Sequence, residues 1–84
     1  MAVTLLPLDD GCSLEFANED MERVRQALER RYGSPEVDKR HPWLTVYRYP
    51  HAELTFQNEW DDPCLIASAA PGIAMLRQIA DDLA

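Results

Sequence analysis

Eighty-four residues, 46% hydrophobic and 27% charged, describe a single folded α+β domain, 1–84, with room for one core and none for a deep cleft beside it, which weighs against a self-contained enzyme. Fifteen acidic against eight basic residues give a net charge of −7, which repels nucleic acid and anionic membranes and leaves a basic protein as the natural partner. No apolar run approaches the roughly 20 residues of a membrane helix, and the opening MAVTLLPLDDG lacks the basic and apolar regions of a leader, so a cytoplasmic protein is expected.

Val3 to Leu8 and Cys12 to Phe16 read as a first hairpin around Asp9-Asp10-Gly11, with the glycine supplying a positive φ. Pairing Leu8 with Cys12 aligns Leu6 with Leu14 and Thr4 with Phe16. Pro7 cannot donate a ladder hydrogen bond, so this first strand is expected to lie at an edge or to end early. Asn18 is the expected N-cap of a helix of about 14 residues. Met21, Val24, Ala27, Leu28 and Tyr32 form its apolar stripe, and Gly33 stands just past its end. Ser34 to Pro42 has two prolines and mixed charge without periodicity, and reads as a surface connection.

Trp43 to Tyr49 and Glu53 to Trp60 hold most of the aromatic and β-branched residues and flank Pro50-His51-Ala52, a second hairpin. Setting Tyr49 opposite Glu53 gathers Leu44, Val46, Leu54 and Phe56 on an inner face. The other face then carries Trp43, Tyr47 and Tyr49 with Glu53, Gln57 and Glu59, continued by Trp60 and Asp61. Slipping by one residue would set Tyr47 opposite Phe56 and turn Leu44 and Val46 outward. Asp61-Asp62-Pro63 reads as a turn, Cys64 to Ser68 as a short strand, and Ile73, Leu76, Ile79, Ala80 and Leu83 as the stripe of a last helix entered at Pro71. The order ββαβββα predicts an antiparallel sheet of about five strands with two helices on one face.

Chemistry finds little foothold in these residues. Cys12 and Cys64 lie 51 residues apart without metal-ligand spacing; they read as buried thiols, and as a disulfide only in an oxidising compartment. Cys64 with His51 is one conceivable nucleophile and base. Glu59, Asp61, Asp62 and His51 have the ligand types of a metal site but not the spacing of a calcium loop. Asp81 and Asp82 read as solubilising charges. The three glycines are too dispersed for a phosphate loop, so neither a cofactor nor a metal is expected.

What stands out is the aromatic and acidic set Trp43, Tyr47, Tyr49, Glu53, Gln57, Glu59, Trp60 and Asp61, because exposed Trp and Tyr dominate interfaces and carboxylates steer basic partners onto them. The expected role is non-catalytic protein binding, as in a small acidic inhibitor or immunity-type protein that masks a basic partner. Seven of the eight basic residues are arginine, a bias of GC-rich bacterial genomes. The alternatives are a homodimeric accessory subunit that pairs its open sheet face or the Cys64 to Ser68 strand with its own copy, and a small thiol- or metal-dependent enzyme around Cys64, His51 and Asp61.

Overall fold

The computed structural model describes residues 3–84. Six strands, β1 (Val3–Leu8), β2 (Gly11–Phe16), β3 (Glu36–His41), β4 (Leu44–Tyr49), β5 (Ala52–Glu59) and β6 (Asp62–Ala67), form one antiparallel sheet in the spatial order β1-β2-β6-β5-β4-β3. Helices α1 (Met21–Tyr32) and α2 (Ala70–Leu83) cover one face, their apolar stripes Val24, Ala27, Leu28 and Met75, Leu76, Ile79 meeting Cys12, Leu14, Phe16, Leu54, Leu65 and Ala67. The chain is thus an antiparallel α+β fold with both helices on one side. The sheet has six strands rather than five, because Glu36–His41, read above as a connection, pairs with β4. Its sequence EVDKRH offers no apolar alternation, and an edge strand favours charge for keeping other chains off its open hydrogen bonds. A register shift between Lys39 and His41 breaks that edge further.

Both hairpin registers differ from the sequence reading for the same reason. The loops hold two residues, Asp9-Asp10 and Pro50-His51, not three. Leu5 therefore faces Leu14 and Val3 faces Phe16 in the first hairpin. In the second, Tyr49 faces Ala52, Tyr47 faces Leu54 and Thr45 faces Phe56. A one-residue change of pairing reverses the face of every side chain on one strand. Thr45, Tyr47 and Tyr49 consequently point toward the helices, while Leu44, Val46 and Arg48 point away from them.

The helix ends follow from local chemistry with one exception. Gly33 ends α1 at φ 78°, its N–H bonded to the Glu29 carbonyl at 2.9 Å. Pro71 sits in the first turn of α2, where its missing N–H costs nothing. Asn18, however, is not a helix cap. It opens a 3-10 turn (Asn18–Asp20) before α1, and its side-chain amide donates instead to the Asp61 carbonyl at 3.2 Å.

Asp82 is also more than a solubilising charge. It accepts two hydrogen bonds from Arg31, at 2.8 and 2.9 Å, and a third from Gln78, tying the end of α2 to the end of α1. The Arg31 hydrogen bonds hold its carboxyl below the usual carboxylate range. Because its folded pKa is depressed relative to the unfolded chain, the stabilisation is complete above the ordinary carboxylate pKa and is lost as pH falls through the depressed one. Asp82→Asn is therefore expected to lower the melting temperature modestly at neutral pH, and to melt closer to wild type as pH drops below about 4. Parallel melting curves of the two proteins over that acid range test this.

Candidate protein-docking surface

Both helices lie on one side, and neither covers the opposite face of the six strands. Paired residues point the same way, so the pairing defines this open face row by row. Its central row runs Leu6, Ser13, Ile66, Thr55, Val46, Asp38 across the whole sheet. Leu8, Cys64 and Leu44 flank it. Leu6 and Leu8 are 38% and 47% exposed, whereas Val46, shielded by its neighbours, is only 8% exposed. The result is an aliphatic centre on a surface that no element of the fold covers.

Charge is unevenly distributed around that centre. On the β3-β4-β5 side, Asp38 accepts from Arg40 at 2.8 Å and from Arg48 at 3.0 Å, and Arg48 also reaches Glu53 at 3.3 Å. The Arg40 and Arg48 hydrogen bonds push the Asp38 carboxyl below the usual range. This chain of two carboxylates and two guanidiniums is self-neutralising. The face's other carboxylates, Glu15, Glu36, Glu59 and Asp62, make no ion pair among the described residues. Three of them gather at one end: Glu59 and Asp62 lie directly opposite each other on β5 and β6, and Glu15 lies opposite Cys64, two residues further along β6. Cross-strand like charges repel, and nothing in the fold relieves them.

Of the eight residues singled out in the sequence, the structure brings Glu53, Gln57 and Glu59 together on the open face. Trp60 and Asp61 form the β5–β6 turn at its acidic end. Trp43 occupies the β3–β4 turn, 39% exposed and stacked on His41 with ring centroids 4.8 Å apart. Tyr47 and Tyr49 do not belong to this surface. They lie on the helix side, in a groove of about 420 Å³ between α1 and β3–β5 whose floor also includes Phe56 and Val37. Tyr49 packs edge-on against Tyr32, and burial pushes its hydroxyl up to about 12. Arg25 at the groove's rim is already clasped by Glu22 and Glu29. The expectation of one continuous aromatic and acidic face is thus corrected: the register gives the aliphatics of β4, not its tyrosines, to the open side.

The Trp60–Asp61 turn is the most unusual backbone in the molecule. Both residues adopt positive φ, 60° and 55°, the pattern of a type I′ hairpin turn, and they are the only non-glycine residues to do so among those described. Asn and Gly meet that requirement readily and Asp61 tolerates it, whereas the bulky Trp60 costs about 1 kcal/mol or more. Trp60 is 92% exposed. Sequence reasoning missed this turn because Asp61-Asp62-Pro63 carries the stronger turn signal, one residue later.

The fold separates the groups of the enzyme alternatives. Cys64 sits on the open face opposite Gln57, while His51 lies in the turn beyond the other end of β5, six residues from Gln57 or roughly 20 Å along the strand. Burial raises the thiol pKa of Cys64 and of Cys12, which opposes thiolate chemistry. Cys12 points to the core and Cys64 to the open face, so the two cannot join in a disulfide without rearrangement; Cys64 is half-buried rather than buried. Among the described residues no three His, Cys, Asp or Glu side chains cluster as metal ligands. The β6 strand is hydrogen-bonded to β2 and β5 on its two sides, which removes the idea that Cys64 to Ser68 pairs with a second copy. Among the described residues no helix is long and apolar enough to cross a membrane.

In comparison with known proteins, no family model, no curated protein and no solved structure matches the chain.

Proposed function

We propose that the chain is a non-catalytic protein-binding domain that docks its open sheet face on a basic protein, in the manner of a small inhibitor or immunity-type protein. The observation that supports this is the pairing of an uncovered aliphatic centre with carboxylates that have no cation of their own. Burying Leu6, Leu8, Ile66 and Leu44 supplies non-directional attraction, about 25 cal/mol for each Å² of apolar surface removed from water. Lysine or arginine on the partner relieves the repulsion between Glu59 and Asp62 and steers the encounter. A second copy of this chain is the weaker candidate, because the face carries six carboxylates against two guanidiniums and would repel itself. Two free thiols held protonated by burial suit a reducing cytoplasm.

The test uses basic proteins recovered from the source cell on the immobilised chain, each then purified and titrated, with lysozyme measuring attraction by charge alone. At least one is expected to bind far more tightly than lysozyme and to weaken steeply with salt. Glu59→Lys and Asp62→Lys are each expected to cost about tenfold in affinity while leaving the circular dichroism spectrum unchanged. Sedimentation that gives a dimer of the free chain, or affinities no better than lysozyme's, would overturn the proposal.

A further inference from the structure

The β5–β6 turn sets a 92% exposed tryptophan on a backbone with positive φ. Three of the four two-residue turns, Asp9-Asp10, Pro42-Trp43 and Pro50-His51, keep negative φ. The fourth places Trp60 and Asp61 in the left-handed region, where Asn and Gly would rest without strain. Selection for stability alone has no use for an indole there. It packs on nothing, is 92% exposed, and adds apolar surface to a protein otherwise rich in charge.

The turn is nevertheless held in place. Asn18 Nδ2 donates to the Asp61 carbonyl at 3.2 Å, Asn58 Nδ2 donates to Asn18 Oδ1 at 3.3 Å, and the same amide group lies 3.9 Å from the Met21 sulfur. This tether leaves Asn58 Oδ1 buried without a partner, a cost borne where the turn is anchored. Around the indole stand Glu59, Asp61 and Asp62, with Glu15 further along the same end of the open face, and none of them makes an ion pair among the described residues. Strain that the surroundings hold in place gathers where proteins bind and switch.

We infer that Trp60 is the anchor of the docking surface, an indole presented on a rigid turn for insertion into an apolar pocket of the partner whose rim carries lysine or arginine. This rests on the binding reading above and names the part of that surface on which affinity concentrates. A tryptophan buries 150–250 Å² when enclosed, and such residues commonly dominate an interface while their neighbours mainly exclude water. The ring of carboxylates selects a cationic rim. It also repels an anionic lipid surface, the other setting in which an exposed indole is at home.

The deciding variant is Trp60→Asn with Asp61→Gly, which keeps the turn type and removes both indole and strain. Its melting temperature is expected to rise by about 5 °C. Affinity for the purified basic partner that wild type binds is expected to fall about thirtyfold or more. In a Trp43→Phe background, where Trp60 is the sole tryptophan, its emission should shift to the blue and become protected from acrylamide when that partner is added. Higher stability with loss of binding supports the inference, since a better-folded protein that no longer binds has lost a contact and not its shape. Full affinity in the double variant, with Glu59→Lys still defective, would overturn the anchor and leave the open-face reading standing. A lower melting temperature would overturn the strain argument on which the anchor depends. If wild type binds no basic protein better than lysozyme, both readings fall together.

Discussion

Gly11→Ala is expected to destabilise the protein by about 3 kcal/mol or more, a large share of what a chain of this size possesses. A Cβ built on Gly11 would stand 1.9 Å from the Ala67 carbonyl oxygen and 2.9 Å from the Ala67 carbonyl carbon and Ser68 Cα. Those atoms are backbone, where β6 ends and the chain turns toward α2, and they cannot rotate aside as a side chain would. Relief requires β2 to move away from β6, breaking the ladder that begins at Cys12 and Ala67. Since β2 and β6 carry Leu14 and Leu65 at the centre of the core, the strand pair cannot part locally. Gly33→Ala provides the contrast. Nothing lies within 4 Å of its Cβ position, so only the backbone conformation is penalised, φ 78° with ψ −169°, by about 1–3 kcal/mol. Urea titrations should give Gly11→Ala the lower midpoint of the two variants. Equal losses would mean that backbone conformation, not close approach, makes Gly11 necessary.

Gly11 also explains how far the fold was legible in the sequence. Counted as the third residue of a turn, it lengthened the first loop by one and moved Leu6 from the open face to the core. Counting Ala52 into the second loop did the same to Val46. The β4 sequence could not correct the error, because Leu44 and Val46 alternate with Thr45, Tyr47 and Tyr49 and both sets tolerate burial. Strand existence and helix stripes depend on composition over many residues, so they were readable; register depends on a single residue in each loop, and was not. β3 escaped notice because an edge strand is shielded by the charged residues that otherwise mark loops. The acidic character of the candidate surface was visible in Glu53, Glu59 and Asp61. Its aliphatic centre was not, since Leu6, Ile66 and Val46 are brought together from three hairpins. The Arg31–Asp82 pair likewise spans 51 residues, a distance no local pattern reports.

Leu54→Ala is the second change with a large expected effect, about 3 kcal/mol, and it separates folding from binding. Leu54 is completely buried on the helix side of β5, beside Gly72 of α2. The Cβ position of Gly72 lies 3.4 Å from Leu54 Cδ2 but only 3.0 Å from the Glu53 carbonyl oxygen and Ala67 Cβ. Removing the leucine leaves a cavity at the centre of the core. Adding Gly72→Ala should not restore the loss, since the new methyl would still meet the Glu53 carbonyl. Leu54 points away from the open face, however, with Thr55 beside it facing the other way. Under conditions where Leu54→Ala remains folded, its affinity for a basic partner is expected to match wild type. Glu59→Lys should do the reverse, keeping stability and losing affinity. A Leu54→Ala protein that is folded by circular dichroism yet binds tenfold more weakly would place the docking surface on the helix side, in the groove of Tyr47 and Tyr49, and not on the bare face of the sheet.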